Sequence, residues 1–258
     1  MLTLLLGRDW VANSDDILNR IAEDVKHKQG GRILLVPELI SHDTERRLAA
    51  VAGDTASRFS QVLSFTRLAR RVRESVGNGA EECLDNGGRV VAMAAATRSL
   101  HSQLKAYASV ETKPEFLTEL VDAVDECKRC CISPNDLAAA AKQTEGSLAQ
   151  KLEELALILE SYDTICQRGK RDPRDQMNWA LEQLEEMDLA ENTVLYVDGF
   201  PDFTRQHLAV LEHFILRSPQ VVVSLNCDGI DSHDPAFEKA GQTAKELYQI
   251  AHRAGIQV

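Results

Sequence analysis

The chain contains 258 residues, of which 44% are hydrophobic, 27% charged and 5% aromatic, so it carries enough apolar material for a sizeable core. This composition excludes disordered, fibrous and disulfide-scaffold proteins. The formal net charge of −11 disfavours a protein that coats nucleic acid through its overall charge. The six scattered cysteines suit a reducing compartment, and the sequence contains neither an export signal nor a membrane span, so we expect a cytoplasmic protein.

Five short apolar runs predict the strands of a parallel sheet. Their apolar residues are continuous rather than alternating, which is typical of strands that are buried on both faces. A turn or polar segment follows each run, mostly with a helical pattern after it, as expected for an α/β fold. The runs are Leu2–Leu6, Ile33–Val36, Val62–Phe65, Val194–Val197 and Val221–Leu225.

The segment between the third and fourth runs contains only helical patterns. Pro114 and Pro134 lie where helices would begin, a position at which the missing proline N–H costs little. We therefore predict an α/β domain of residues 1–65 and 191–258 that is interrupted by a helical subdomain of residues 66–190. The predicted helices are Arg67–Val76, Gly87–Ala108, Glu115–Cys130, a helix that begins at Pro134, Leu148–Gln167 and Asp175–Met187.

The segment after the first run has the spacing of a phosphate-binding P-loop, G-x-x-x-x-G-K-[ST], without its chemistry. Gly7 and Ser14 occupy the first and last motif positions, whereas Ala12 replaces the second glycine and Asn13 replaces the lysine. A P-loop needs that lysine to reach the β- and γ-phosphates. Tight ATP binding is therefore not expected, and the favoured alternative is that residues 13–16 cap the first helix.

Asp198 directly follows the fourth run, at the strand end where a P-loop ATPase carries a Mg²⁺ ligand. In motor ATPases the next residue is a glutamate that activates water, and here it is Gly199. No catalytic base is therefore predicted. The alternative is that Asp198 is a turn or capping residue.

A basic helix follows the third run. Arg67 shares a helix face with Arg70 and Arg71 because the spacings are three and four residues, and Thr66 lies beside them. We predict that these four residues contact DNA phosphates. The alternative is a solvated helix face that pairs with Glu74.

The sequence Cys127-x-x-Cys130-Cys131 closes a predicted helix. No second pair of cysteines or histidines follows at the spacing of a zinc site. We therefore predict packing or surface cysteines here, and no metal site.

The order of the segments resembles the N-terminal region of a bacterial family. GRDWVANS, ILLVPE and VLSFTRLARRV come first, the helical ECKRCCISPNDLAAAA follows, and VLYVDGFPDFTRQHLAVLEHF and VVVSLNCD come last. Together they resemble AddB, the B subunit of the ATP-dependent helicase/deoxyribonuclease that processes double-strand DNA breaks for recombination. The similarity covers essentially the whole chain.

The resemblance implies a superfamily 1 helicase-like, P-loop NTPase-like fold that carries a helical insertion. It also implies that DNA and an A-type helicase/nuclease subunit are partners. The family's nuclease domain, with its iron–sulfur cluster, lies in a C-terminal region beyond this chain. We therefore expect no cofactor here.

Two departures from the family pattern predict a degenerate nucleotide site. The family loop G-R-x-G-x-G-K-[ST] is matched at three positions and lacks its lysine, and the helicase motif V-D-E-x-Q-D lacks its glutamate. We therefore expect a scaffold that engages DNA and a partner subunit without catalytic residues; an atypical Mg²⁺-dependent NTPase and a pure protein-interaction module are the alternatives. The residues of this degenerate site are Gly7, Arg8, Asn13, Ser14 and Asp198.

Overall fold

Five parallel strands form one sheet in the computed structural model, which describes residues 1–77, 83–231 and 234–258. The order across the sheet, numbered along the chain, is β1-β5-β4-β2-β3. The predicted α/β class and the five parallel strands are confirmed. The strands are β1 (Leu2–Gly7), β2 (Arg32–Leu35), β3 (Ser60–Leu63), β4 (Val194–Val197) and β5 (Gln220–Asn226).

The bounds of β3 differ by two residues at each end from the predicted run Val62–Phe65. β3 ends at Leu63, and a helix already begins at Phe65. Ser64 lies between them and caps this helix, since its Oγ accepts a hydrogen bond of 3.1 Å from the backbone N–H of Arg67. The cap ends the strand two residues before the apolar run ends.

The sequence predicted both ends of five helices, and four of these begin and end within two residues of the predicted bounds. Ten helices lie in the part of the chain that the structure describes. They are α1 (Trp10–Lys26), α2 (Ser41–Ala52), α3 (Phe65–Ser75), α4 (Asn86–Ser99), α5 (Pro114–Arg129), α6 (Pro134–Lys142), α7 (Gly146–Arg168), α8 (Gln176–Glu186), α9 (Arg205–Arg217) and α10 (Glu238–Arg253). None of these helices combines the length and apolar character that crossing a bilayer requires.

The two faces of the sheet carry separate apolar clusters because neighbouring side chains along a strand point in opposite directions. In β2, Ile33 packs on one face and Leu34 on the other, and both are buried. Helices α1 and α2 cover the face of Leu34, while α3, α8, α9 and α10 cover the face of Ile33. Burial on both faces explains why the runs are continuously apolar.

The chain divides into two compact units. The first, which we call the α/β unit, comprises Met1–Gly77 and Met177–Val258, and the second, the helical unit, comprises Asn78–Gln176. The helical unit is therefore narrower than the range 66–190. Helices α3 and α8 belong with the sheet because Leu68 and Leu184, each 1% exposed, pack in its core.

The helical unit packs α4, α5, α6 and α7 around its own apolar core, in which Cys127 is buried. Helix α4 ends at Ser99, although the pattern predicted a helix as far as Ala108. The carboxylate of Glu154 explains the difference. It accepts hydrogen bonds of 2.8, 2.8 and 3.1 Å from three consecutive backbone N–H groups at residues 105–107 and so holds that segment in turns.

Asp172 is the centre of a buried charge network in the helical unit. Its carboxylate is fully buried and accepts hydrogen bonds from Tyr162 (2.8 Å), from Arg89 (3.1 Å) and from the backbone N–H of Arg174 (2.8 Å), and Lys128 lies 3.4 Å away. Burial alone would raise the pKa of Asp172. Its positive and hydrogen-bonding neighbours, Lys128 foremost, hold that pKa below its ordinary value.

Candidate functional site

The carboxyl ends of β1, β5 and β4 bring three polar side chains together. The Oγ of Ser14, from α1, donates a hydrogen bond of 2.5 Å to Oδ2 of Asp198, and Ser224, from β5, donates to Oδ1. Asp198 is only 8% exposed. Two residues that lie 184 positions apart in the sequence, and that occupy the P-loop hydroxyl and magnesium-ligand positions, are thus in direct contact.

The turn after β1 is too short to surround a phosphate. Helix α1 begins at Trp10, so only Arg8 and Asp9 separate it from the strand. Oδ1 of Asp9 accepts hydrogen bonds from the backbone N–H groups of Val11 (2.9 Å) and Ala12 (3.2 Å). These are the donors that attract an anion at a helix N-terminus, and a carboxylate already satisfies them.

The structure therefore corrects the expectation that residues 13–16 cap the first helix. Asp9 is the cap, and residues 13–16 lie inside α1. The side chain of Trp10, at the start of the helix, is 60% exposed, so it does not fill the turn between β1 and α1. The N-cap of α1 thus lies at Asp9, four residues before the segment in which capping residues were expected.

Asn13 occupies the position of the P-loop lysine and links two strands. Its Nδ2 donates to the carbonyl oxygens of Gly7 (3.3 Å) and Leu225 (3.4 Å), at the ends of β1 and β5. A Cβ atom on Gly7 would lie 2.5 Å from Oδ1 of Asn13, so a larger residue there would require this amide to move. The contact is structural, since both donated bonds go to the protein's own backbone.

Arg8 is held away from these groups by its own partners. Its Nη2 lies 2.8 Å from Oδ2 of Asp228, and its guanidinium lies 5.7 Å from the centre of the Phe237 ring. The family pattern places this arginine in the nucleotide loop. In the structure its guanidinium pairs with the residues that follow β5 instead.

A cleft of about 200 Å³ opens above Asp198. This volume is below the roughly 300–1,000 Å³ that is typical of small-molecule sites. Trp10, Phe200 and Pro201 supply its apolar surface, and polar side chains supply the rest. The full lining is Trp10, Asn13, Ser14, Asp198, Gly199, Phe200, Pro201, Ser224 and Asn226.

Gly199 adopts a backbone conformation that suits glycine. Its φ is +79°, and a Cβ atom would lie 2.9 Å from Cδ1 of Ile40 and 3.3 Å from Cδ of Pro37. Motor ATPases carry a glutamate at this position. The described residues that line the cleft include no lysine, and Asp9 already accepts hydrogen bonds from the backbone N–H groups of Val11 and Ala12.

An aromatic cluster lies beside this cleft. The rings of Phe65 and His207 stack with their centres 4.0 Å apart, and Phe200 and Phe203 pack against Phe65 at 5.4 and 6.3 Å. Burial lowers the pKa of His207 to about 4, so this imidazole is neutral at pH 7. The cluster anchors the segment after Asp198 to the start of α3.

The predicted DNA-binding residues lie in the first two turns of α3, and they differ in exposure and in hydrogen-bond partners. Thr66 and Arg70 are exposed. Arg67 forms an ion pair of 2.9 Å with Glu45 of α2, and Arg71 donates to Gln61 of β3. Arg67 therefore does not form the alternative pair with Glu74. Arg70 is therefore the arginine of this face that remains directed to solvent.

A family model described as "ADDB, N-terminal" matches residues 4–258. The chain belongs to the AddB N-terminal family. The B subunit of the ATP-dependent helicase/deoxyribonuclease from Caldanaerobacter subterraneus subsp. tengcongensis is 31% identical over 245 residues, which cover 92% of this chain and 21% of that protein. The protein of the same name from Heliobacterium modesticaldum is 29% identical over 269 residues, with 100% and 22% covered. The chain spans about a fifth of the length of these relatives.

Sequence reasoning missed several residues that shape the site of this AddB N-terminal chain. Asp9 is of a type that favours N-caps, but the P-loop spacing drew attention to later positions. Ser224 is a single polar residue inside the apolar run of β5, and its contact with Asp198 depends on the strand order. The stacking of Phe65 on His207 joins segments that are 142 residues apart, and no local pattern announces it.

Proposed function

We propose that this chain is the N-terminal part of the B subunit of an ATP-dependent helicase/nuclease that acts in double-strand DNA break repair. In this role it is a scaffold with a degenerate, P-loop-type nucleotide site. It engages DNA and the A-type subunit, and it does not hydrolyse ATP. The family membership and the names of the relatives support the assignment to such a subunit.

The contact between Ser14 and Asp198 carries the proposal that the site is degenerate. In P-loop NTPases the Mg²⁺ ion is held by the hydroxyl and the carboxylate at these two positions. Here the two side chains hydrogen-bond directly at 2.5 Å, and Asp9 occupies the neighbouring N–H groups. Position 13 carries no lysine, and the guanidinium of Arg8 pairs with Asp228, so none of the described residues that line the cleft offsets the charge of a triphosphate.

Calorimetric titration of the chain with Mg-ATP tests this proposal. We expect no binding at submillimolar nucleotide and no hydrolysis in the presence of single- or double-stranded DNA. An intact AddB-type protein that retains the lysine serves as the positive control. DNA-stimulated turnover that disappears in Asp198→Ala would refute the scaffold and support the atypical NTPase.

The exposed arginine face of α3 supports a DNA contact. Arg70 is exposed beside Thr66, and the Arg67 guanidinium needs only to leave Glu45 to reach a phosphate. A local positive face matters on this chain because the overall charge of −11 opposes nonspecific binding.

Electrophoretic shifts at several salt concentrations test the DNA contact. We expect Arg67→Ala with Arg70→Ala to weaken binding to single-stranded DNA and to reduce the slope of log K against log salt by about 0.7 for each phosphate that the variant no longer neutralises. Arg20→Ala is the matched control, since Arg20 is an exposed arginine of the same unit that pairs with Asp16 on α1. An unchanged slope in the double variant would show that α3 does not touch DNA.

A further inference from the structure

We propose that the cleft above Asp198 binds the guanidinium group of an arginine from a partner protein. The ligand class is thus a cation, the opposite of the phosphate that a P-loop holds. The proposal depends on one part of the proposed function, namely that no nucleotide occupies the cleft. The new element is that a guanidinium group, rather than a nucleotide, occupies the cleft.

The described lining of the cleft contains one carboxylate, Asp198, and no cationic side chain. Asp198 is 8% exposed, and each of its carboxylate oxygens receives one hydroxyl hydrogen bond, from Ser14 and from Ser224. Each oxygen can accept a second. Within residues 1–77, 83–231 and 234–258, no arginine, lysine or histidine forms an ion pair with this carboxylate. A buried carboxylate without a counter-charge favours a cationic ligand.

The amides beside Asp198 do not supply that positive charge. The Nδ2 of Asn13 donates to two backbone carbonyl oxygens. The hydrogen-bond network orients Asn226 so that its nitrogen donates to the carbonyl oxygens of Gly7 (2.9 Å) and Arg8 (2.8 Å), which leaves its Oδ1 as an acceptor. Both amide nitrogens are thus already engaged, and the polar part of the cleft is rich in acceptors.

The walls of the cleft distinguish a guanidinium from other cations. Trp10 is 60% exposed, and it lines the cleft together with Phe200. Guanidinium planes stack on aromatic rings and pair with both oxygens of a carboxylate at once. A Mg²⁺ ion keeps several of its waters and gains nothing from these aromatic walls.

The surroundings distinguish a protein ligand from a nucleic acid. The cleft, at about 200 Å³, has room for one side chain. Asp9 is exposed and adjoins the lining residue Trp10. Its negative charge opposes a phosphate backbone and attracts a basic segment of a protein.

Amide chemical shifts of the ¹⁵N-labelled chain test the proposal. The probe is N-acetyl-L-arginine methylamide, and its control is N-acetyl-L-citrulline methylamide, which has nearly the same shape without the charge. We expect millimolar arginine probe to shift the signals of Gly199, Ser224 and the Trp10 indole. The citrulline probe should bind at least about tenfold more weakly. Equal binding of the two probes would overturn the proposal.

Two variants locate the binding. Asp198→Asn and Trp10→Ala should each weaken the arginine probe by at least about tenfold, whereas Asp202→Asn, which neutralises an exposed carboxylate nearby, should reduce it less than threefold. Trp10 is exposed, so its replacement tests the cleft even where Asp198→Asn unfolds. Arginine binding that survives Trp10→Ala or any other folded variant of the cleft would refute the site.

A parallel titration with Mg-ATP separates the two proposals. If Mg-ATP shifts the same signals at micromolar concentration, the proposed function fails and the cleft is a nucleotide site. If neither Mg-ATP nor the arginine probe shifts them, only the arginine proposal fails, and the scaffold without ATPase activity stands.

Discussion

Replacing Asp172 by asparagine should destabilise the helical unit more than any other single change of one carboxylate to an amide. The single oxygen of asparagine can accept from Tyr162 or from the Arg174 backbone but not from both, because these donors bond to different oxygens of Asp172. The substitution also removes the charge that faces Arg89 and Lys128. Breaking a buried ion pair from one side costs about 3–5 kcal/mol. We expect the lower end, about 3 kcal/mol, because Asp125 still pairs with Arg89 and Asp175 with Lys128.

Hydrogen exchange of the two units provides the assay. The chain has two tryptophans, Trp10 and Trp179, and both lie in the α/β unit, so their fluorescence reports that unit alone. A cost of about 3 kcal/mol lowers the exchange protection of α5 and α7 roughly a hundredfold. Fluorescence-detected unfolding should remain unchanged. Glu126→Gln, which breaks an exposed pair with Arg129, is the control and should cost less than about 1 kcal/mol.

The dependence on pH gives the same prediction a second test. The folded protein holds the pKa of Asp172 below the ordinary aspartate value of about 3.9. Its contribution is therefore complete above that value and is lost as the pH falls through the folded pKa. The difference between the native chain and Asp172→Asn should accordingly shrink in acid. A cost that is below about 1 kcal/mol at pH 7, or that stays constant down to about pH 2, would refute the reasoning.

Three further predictions concern single groups. Asp9→Ala removes the cap of α1 and should lower the stability of the α/β unit by about 1 kcal/mol in urea unfolding, whereas Asp16→Ala, inside the helix, should not. Because burial lowers the pKa of His207 to about 4, its folded state resists protonation, so stability should fall as the pH drops from about 6.5 to 4. His207→Phe should reduce that slope, and His213, whose pKa burial also lowers, should retain part of it. Glu154→Gln removes the charged acceptor from all three backbone N–H groups and leaves at least one of them facing an amide NH₂ group, so it should cost about 1–3 kcal/mol, measured by exchange at residues 105–107.

Much of the α/β unit could be predicted because its strands are buried on both faces. Continuous apolar runs such as Val194–Val197 report that burial directly. The approach of Ser14 to Asp198 also follows from a general rule, since parallel strands end at one edge of the sheet. The rule does not predict that the two side chains form a hydrogen bond with each other.

The features that sequence reasoning missed depend on contacts distant along the chain. Helix α4 stops at Ser99 because Glu154, on α7, binds the backbone that would continue it. Arg67 pairs with Glu45 on α2, although Glu74 lies seven residues along its own helix. Helical periodicity contains neither fact. The N-cap of α1 differs from these contacts because it is local. Aspartate is a favoured N-cap residue, but the P-loop spacing pointed to residues 13–16 instead of Asp9.

The conformation of Gly199 gives the proposed loss of ATPase chemistry an evolutionary direction. A glutamate placed there would adopt φ near +79°, at a cost of about 1–2 kcal/mol, and would displace Ile40. A lysine at position 13 would sacrifice the bridge between the ends of β1 and β5. Each of these two substitutions should therefore lower stability. Under the proposed function, that cost opposes a return to ATPase activity by single mutations.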